Sequence, residues 1–190
     1  MGLTRVVVLD DYQDAARDHA DWASLPSCEV EFVHEPLSSG PTVVAHLASA
    51  DVVVAMRERT AFPRDVLEQL PRLRLLVTTG AKNAAIDLAA AAELGITVSG
   101  TESLAHPPAE LTFALLLALA RGVATEDRAL REGRWQTTLG FALAGQRLGV
   151  VGLGRIGGRV AELGGGFGMD VVAWSPNLTA GAPRRSARPR

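Results

Sequence analysis

The segment Arg147-Leu148-Gly149-Val150-Val151-Gly152-Leu153-Gly154-Arg155-Ile156-Gly157 decides how this chain is read. Gly152, Gly154 and Gly157 stand in G-x-G-x-x-G spacing. A short apolar strand at 148–151 leads into them, and a helical pattern with Ile156, Val160, Leu163 and Phe167 on one face leads away. A second strand is predicted at 170–174. Strand, glycine turn, helix and strand are the setting in which this spacing binds a dinucleotide. Gly152 allows the tight turn, Gly154 lets the backbone approach a pyrophosphate, and Gly157 lets helix and strand pack closely. The N–H groups at the helix start, in the stretch Arg155, Ile156 and Gly157, then face the phosphates, aided by the helix dipole.

One element of the fingerprint is absent. An acid at the end of the second strand ordinarily bonds the ribose 2′-OH, and here that place reads Trp174-Ser175-Pro176-Asn177. Asp170 stands at the other end of the strand. Ser175 and Asn177 suit a ribose or tolerate a 2′-phosphate, so NAD is the expected cofactor and NADP stays open.

Upstream, the first hundred residues alternate β-branched runs with helical patterns. Strands are predicted at 5–9, 29–34, 51–56, 73–79 and 96–99, and helices at 12–21, 42–49, 63–69 and 87–94. The valine-rich runs lack in–out alternation, which suits strands covered on both faces. This repetition predicts an α/β fold with a parallel, doubly wound sheet. Asp87 is placed to cap a helix and Gly95 to end it. From Pro107 the character changes. A helix at 109–121 is apolar on nearly every face, so it is expected to be buried all round. A more polar helix follows at 125–132, and Gly133 and Trp135 begin a loop. The expected division is 1–103, then 104–178 with the linking helices and the glycine motif. A disordered Arg/Pro-rich tail is expected at 179–190.

Bulk properties narrow the function. Of 190 residues, 47% are hydrophobic and 21% charged, as in ordinary globular proteins. A net charge of −2 favours neither nucleic acid nor a membrane surface as partner. Four arginines lie in the final twelve residues, leaving 15 basic against 21 acidic groups before them. The N-terminus is too soon acidic for a secretory signal, and the apolar run 111–120 is far short of the roughly 20 residues a bilayer span needs. A cytoplasmic location is expected. The lone Cys28 excludes an internal disulfide and reads as a buried thiol. His19, His34, His46 and His106 show no metal-ligand spacing, and no G-x-S-x-G is present.

The order of these parts is distinctive. An α/β domain, an apolar linking helix and then LGVVGLGRIGGRVAELGGGFGMDVVAW together resemble the D-isomer-specific 2-hydroxyacid dehydrogenases. The similarity spans roughly residues 5–178. It implies a flavodoxin-like substrate domain followed by the first βαβ part of a Rossmann nucleotide-binding domain. It further implies NAD(P)-dependent hydride transfer between a small 2-hydroxy acid and its 2-keto acid, in a homodimer paired through the nucleotide domain. Met56-Arg57-Glu58-Arg59-Thr60 resembles the family's loop with a basic residue near the substrate, with Arg57 the candidate and a solvated surface arginine the alternative. Thr79-Gly80-Ala81-Lys82-Asn83 resembles the loop whose backbone amides bind the substrate carboxylate, which would come from Gly80 and Ala81. Glu110 matches a recurrent structural position.

Departures from the family pattern are the stretch Leu104-Ala105-His106-Pro107-Pro108 before the linking helix, and Gly164-Gly165-Gly166, which predicts a shorter, looser helix. No catalytic residue is assigned here, because the resemblance places the family's Arg, Glu and His after this sequence. His106 is the only candidate substitute base. With two Rossmann strands rather than about six, the nucleotide-binding unit is expected to fray, and the chain alone to turn over negligibly. The alternative is a non-enzymatic dinucleotide-binding or subunit-interaction fragment.

Overall fold

The computed structural model describes residues 2–176, which form two compact units meeting between Ser103 and Leu104. The expected tail at 179–190, and Asn177, lie outside the described residues.

The first unit is built on five parallel strands: β1 (Thr4–Val8), β2 (Cys28–Phe32), β3 (Val52–Ala55), β4 (Leu75–Thr78) and β5 (Thr97–Gly100). Their order is β2-β1-β3-β4-β5. The winding reverses between β1 and β3, and the carboxyl ends of strands at such a reversal are the place where open α/β sheets bind ligands. Val7, Val53 and Leu76 on the central strands are fully buried, as is Leu9 just after β1. Three helices join the strands: α1 (Gly40–Leu47), α2 (Arg64–Leu67) and α3 (Leu88–Glu93). Ser39 caps α1 through the Thr42 amide, and Asp87 caps α3 through the Ala90 amide at 2.9 Å. Gly95, with φ +73°, ends α3 as its sequence position suggests.

Two expectations fail in this unit. The helix predicted at 12–21 is replaced by two short 3-10 turns, at Ala16–Asp18 and Trp22–Ser24. Its first amides are taken by the Asp11 carboxylate, which accepts from Ala15 at 2.9 Å and Ala16 at 3.0 Å. Asp10 and Asp14 flank it in left-handed conformations, with φ +60° and +49°, which break the helical path. Cys28 is half-buried rather than buried, because it opens β2 on the sheet's outer edge.

The second unit holds α4 (His106–Ala120), α5 (Val123–Arg131), β6 (Arg147–Val151), α6 (Arg155–Gly166) and β7 (Asp170–Trp174). The strands β6 and β7 pair in parallel, from Arg147 opposite Asp170 to Val151 opposite Trp174. A small core joins Ala109 and Phe113 of α4 to Val160 of α6 and Val150 of β6. Phe113 stacks on Phe167 with ring centres 5.1 Å apart. The helix α6 is not shortened by its glycines. Gly164 packs closely there: a Cβ would stand 2.6 Å from Leu148 Cδ2 and 3.1 Å from Val171 Cγ2, so those side chains would have to shift. Burial of α4 is one-sided. Leu111, Leu115 and Leu119 form an exposed i, i+4 row, against the expectation of a helix covered all round. Among the described residues no single helix is long and apolar enough to cross a membrane.

A buried carboxylate ties the first sheet together at its amino end. Asp51 accepts from the Arg5 amide at 2.9 Å and from Arg72 Nη2 at 3.1 Å. The Arg5 amide holds its carboxyl below the usual value against the opposing pull of burial, with Arg72 and Arg74 assisting. Asp51→Ala is therefore expected to destabilise this unit by about 2–3 kcal/mol, seen as a lower urea midpoint. The wild-type contribution is complete above the ordinary carboxylate value, about pH 4. It is lost as pH falls through the lower folded value, so the variant's stability is expected to depend less on pH in that acid range.

Candidate functional site

The structure gathers the sequence-assigned residues into two groups, one in each unit. In the second unit, Gly152 turns the chain with φ +93° and donates its N–H to the Trp174 carbonyl at 2.7 Å. The turn is thus tied to the end of β7. Gly154 precedes α6, and its carbonyl accepts from the Gly158 amide at 2.7 Å, closing the first helical turn. A Cβ on Gly157 would stand 1.9 Å from the Gly152 oxygen, so no other residue fits without moving the loop. Around Gly154, by contrast, a Cβ would meet no atom within 4 Å. That vacancy lies over the helix start, where a Cβ would intrude on a bound phosphate. Ile156 and Gly157 amides have no acceptor among the described residues. An open depression of about 590 Å³ is lined by Gly152, Gly154, Arg155, Ile156 and Gly157 together with the flank of β6. Its size and its unpaired amides suit a dinucleotide pyrophosphate.

Ser175 follows β7 and is half-buried. Asp170 at the opposite end is engaged elsewhere, accepting from Arg147 Nε at 2.9 Å. No acid competes with Ser175 at the carboxyl end of β7 among the described residues.

In the first unit, Arg57 and Gly80 are brought together. Arg57 has a left-handed backbone, φ +57°, and its guanidinium lies against Gly80 so closely that a Cβ there would be 2.0 Å from Nη1. Gly80 itself has φ +109° and donates its N–H to Thr101 Oγ1 at 2.8 Å. Its amide is therefore already used. The amides of Ala81 and Lys82 have no acceptor among the described residues, and neither have those of Asn83 and Ala84 that follow; Ala81 and Lys82 are the two that directly follow Gly80. Lys82 is the chain's only lysine.

Sequence reasoning missed a second cluster at the β1–β3 reversal. Asp10 is almost fully buried and accepts from Thr60 Oγ1 at 2.8 Å and the Tyr12 hydroxyl at 3.1 Å. Arg59 donates to the Asp10 carbonyl at 2.6 Å and stacks over the Tyr12 ring, 4.6 Å from its centre. Burial, then the neighbouring Asp10 carboxylate, pushes the Tyr12 hydroxyl up. The signal was present in the run Asp10-Asp11-Tyr12 directly after one strand and Arg59-Thr60 directly after another. Nearby, Asp11, Asp14 and His34 place potential ligand atoms within 4.8 Å of one another. The Asp11 carboxylate is committed to two amides, and His34 faces Asp14 at 3.7 Å as a surface ion pair. His106 begins α4 on the exposed surface.

These features define a two-unit α/β protein with a dinucleotide loop. Residues 113–188 match the family model of the D-isomer specific 2-hydroxyacid dehydrogenase NAD binding domain. Among curated proteins, the chain is 42% identical over 118 residues to a glyoxylate reductase of Aeropyrum pernix, covering 57% of this chain and 35% of that protein. It is 37% identical over 135 residues to a D-3-phosphoglycerate dehydrogenase of Methanocaldococcus jannaschii, covering 70% and 26% respectively. A solved phosphoglycerate oxidoreductase from Vibrio cholerae superposes with a TM-score of 0.85 at 32% identity, covering 92% of this chain and 57% of that one. The chain thus spans between about a quarter and three fifths of the length of these relatives. Its second unit therefore matches the NAD binding domain of that family, and NAD is the cofactor the match indicates.

The glycine contact gives a direct test. Gly157→Ala is expected to displace the Gly152 carbonyl and weaken NADH binding by about ten-fold or more. Gly158→Ala, at a position where a Cβ meets nothing within 4 Å, is the control and is expected to bind as the wild type does. Calorimetric titration of both variants measures the difference.

Proposed function

We propose that this chain carries a cofactor-binding site and a carboxylate-binding site of an NAD-dependent dehydrogenase that interconverts a small 2-hydroxy acid and its 2-keto acid. The observation that carries the reading is the glycine loop between β6 and α6, with open space over Gly154 and unpaired amides at Ile156 and Gly157. Bound NAD would supply the carbon that accepts the hydride leaving the substrate's C2. The chain's own residues bind and orient. Ile156 and Gly157 hold the pyrophosphate at the positive end of α6, and Ser175 takes the ribose end. Arg57 grips the substrate carboxylate, with the Ala81 and Lys82 amides donating to the same group. Fixing the carboxylate restricts the orientation of the reacting carbon.

Taking the hydroxyl proton needs a base held against that carbon. None of the four histidines belongs to either group: His19 bonds the Ala15 carbonyl, His34 and His46 face Asp14 and Glu31, and His106 begins α4. We therefore propose that the 190-residue chain binds without turning over. The half-buried, unpaired Cys28 accords with a reducing, cytoplasmic setting. The exposed row Leu111, Leu115 and Leu119 favours pairing with a second subunit, and it also supports the other reading, a non-catalytic subunit-binding module.

Titration of the purified chain with NADH, followed by tryptophan fluorescence, is expected to show saturable quenching, weaker with NADPH. Assay against a panel of 2-keto acids is expected to show no NADH oxidation. A folded chain that fails to bind NADH would defeat the cofactor reading, and measurable turnover would defeat the proposal of binding alone.

A further inference from the structure

We infer that Asn83 is a positioning residue for the substrate carboxylate, fixing Arg57 in its left-handed conformation so that the guanidinium lies over Gly80 beside the Ala81 and Lys82 amides. This rests on the carboxylate-binding reading of the same loop.

A non-glycine residue at φ +57° persists only where its surroundings over-determine it. Two contacts do so at Arg57. Its N–H donates to Thr79 Oγ1 at 3.1 Å, and its carbonyl accepts from Asn83 Nδ2 at 2.6 Å. Asn83 is itself held on every side. It is 8% exposed, its Nδ2 also donates to the buried Thr78 hydroxyl at 2.9 Å, and its Oδ1 accepts from the Ala85 amide at 2.9 Å. One planar amide therefore joins the end of β4, the loop after β3 and the turn leading to α3.

The chemistry requires an amide in this place. A carboxylate has no hydrogen for the Arg57 carbonyl, and a hydroxyl has one hydrogen where two acceptors must be met. An amide also adds no charge beside the guanidinium. Arg57 pairs only loosely with Glu58, 3.6 Å from Nε, in an exposed ion pair that is weak in water and that a ligand carboxylate can displace. Asn83 never touches the substrate. It acts by keeping Arg57 from swinging away from Gly80, which holds the guanidinium in place before the carboxylate arrives.

Oxalate, a flat analogue of a 2-keto acid, is the probe, and the ¹⁵N-labelled 190-residue chain is the sample. The wild-type amide signals of Ala81 and Lys82 are expected to shift saturably. Asn83→Ala is expected to weaken oxalate by about ten-fold or more, with folding checked by the spectrum of the β6–β7 region. Asn83→Asp supplies a readout that a packing role would not give. Its carboxylate cannot donate near pH 7.5, so binding is weak, but on acidification the protonated form regains one of the two donations, to the Arg57 carbonyl, and its affinity recovers in part relative to wild type at the same pH. Equal affinity in wild type and Asn83→Ala, or no recovery of Asn83→Asp on acidification, would overturn the inference alone. No shift at Ala81 and Lys82 in the wild type would overturn the carboxylate site, and the inference with it.

Discussion

The α-carbon of Gly157 packs so closely against the Gly152 carbonyl that a methyl group there would stand 1.9 Å from the oxygen. This approach sets the angle at which α6 leaves β6, and with it the direction of the helix's first amides. Gly152 also bonds the Trp174 carbonyl, so the same loop fixes where β7 ends and where Ser175 begins. Strand, helix and second strand are thereby locked around one point. The small core beneath, with Val150, Val160 and Phe113, completes the unit on one face. Val151, Val172 and Trp174 remain exposed on the other, as expected of a parallel pair that lacks a second cover.

The first unit uses the same principle with different residues. Its sheet order brings the loops after β1 and β3 to the reversal point, where backbone strain is concentrated in Asp10 and Arg57 rather than in glycines. Each strained residue is held by side chains of the surrounding loops: Thr60 and Tyr12 bond the Asp10 carboxylate, and Thr79 and Asn83 bond the Arg57 backbone. Gly80 then serves by having no side chain, leaving room for the Arg57 guanidinium. Its N–H donates to Thr101 Oγ1.

The α/β class and the positions of every strand were legible because parallel strands covered on both faces read as unbroken β-branched runs. The glycine loop was legible because its chemistry is local, with all three glycines within six residues of one another. The losses come from side-chain and packing contacts that a hydrophobic pattern does not encode, some of them over long sequence separation. Nothing near Gly80 announces that Thr101, 21 residues on, consumes its amide. The misread helix after β1 had an adequate apolar pattern, but the Asp11 carboxylate outcompeted it for the first amides. In α4, composition suggested burial on all sides, yet burial depends on what is packed against a face, and Leu111, Leu115 and Leu119 have no cover among the described residues. Gly164 looked like a defect in α6 until Leu148 and Val171 were seen against it.

Backbone amide hydrogen exchange of the 190-residue chain, with and without NADH, tests the central claim most directly, because the claim concerns particular N–H groups. Protection gained at Ile156 and Gly157 on adding NADH, with Gly152 and Gly158 already slow without it, is the predicted result. Unchanged exchange at Ile156 and Gly157 under saturating NADH, in a folded chain, would contradict it.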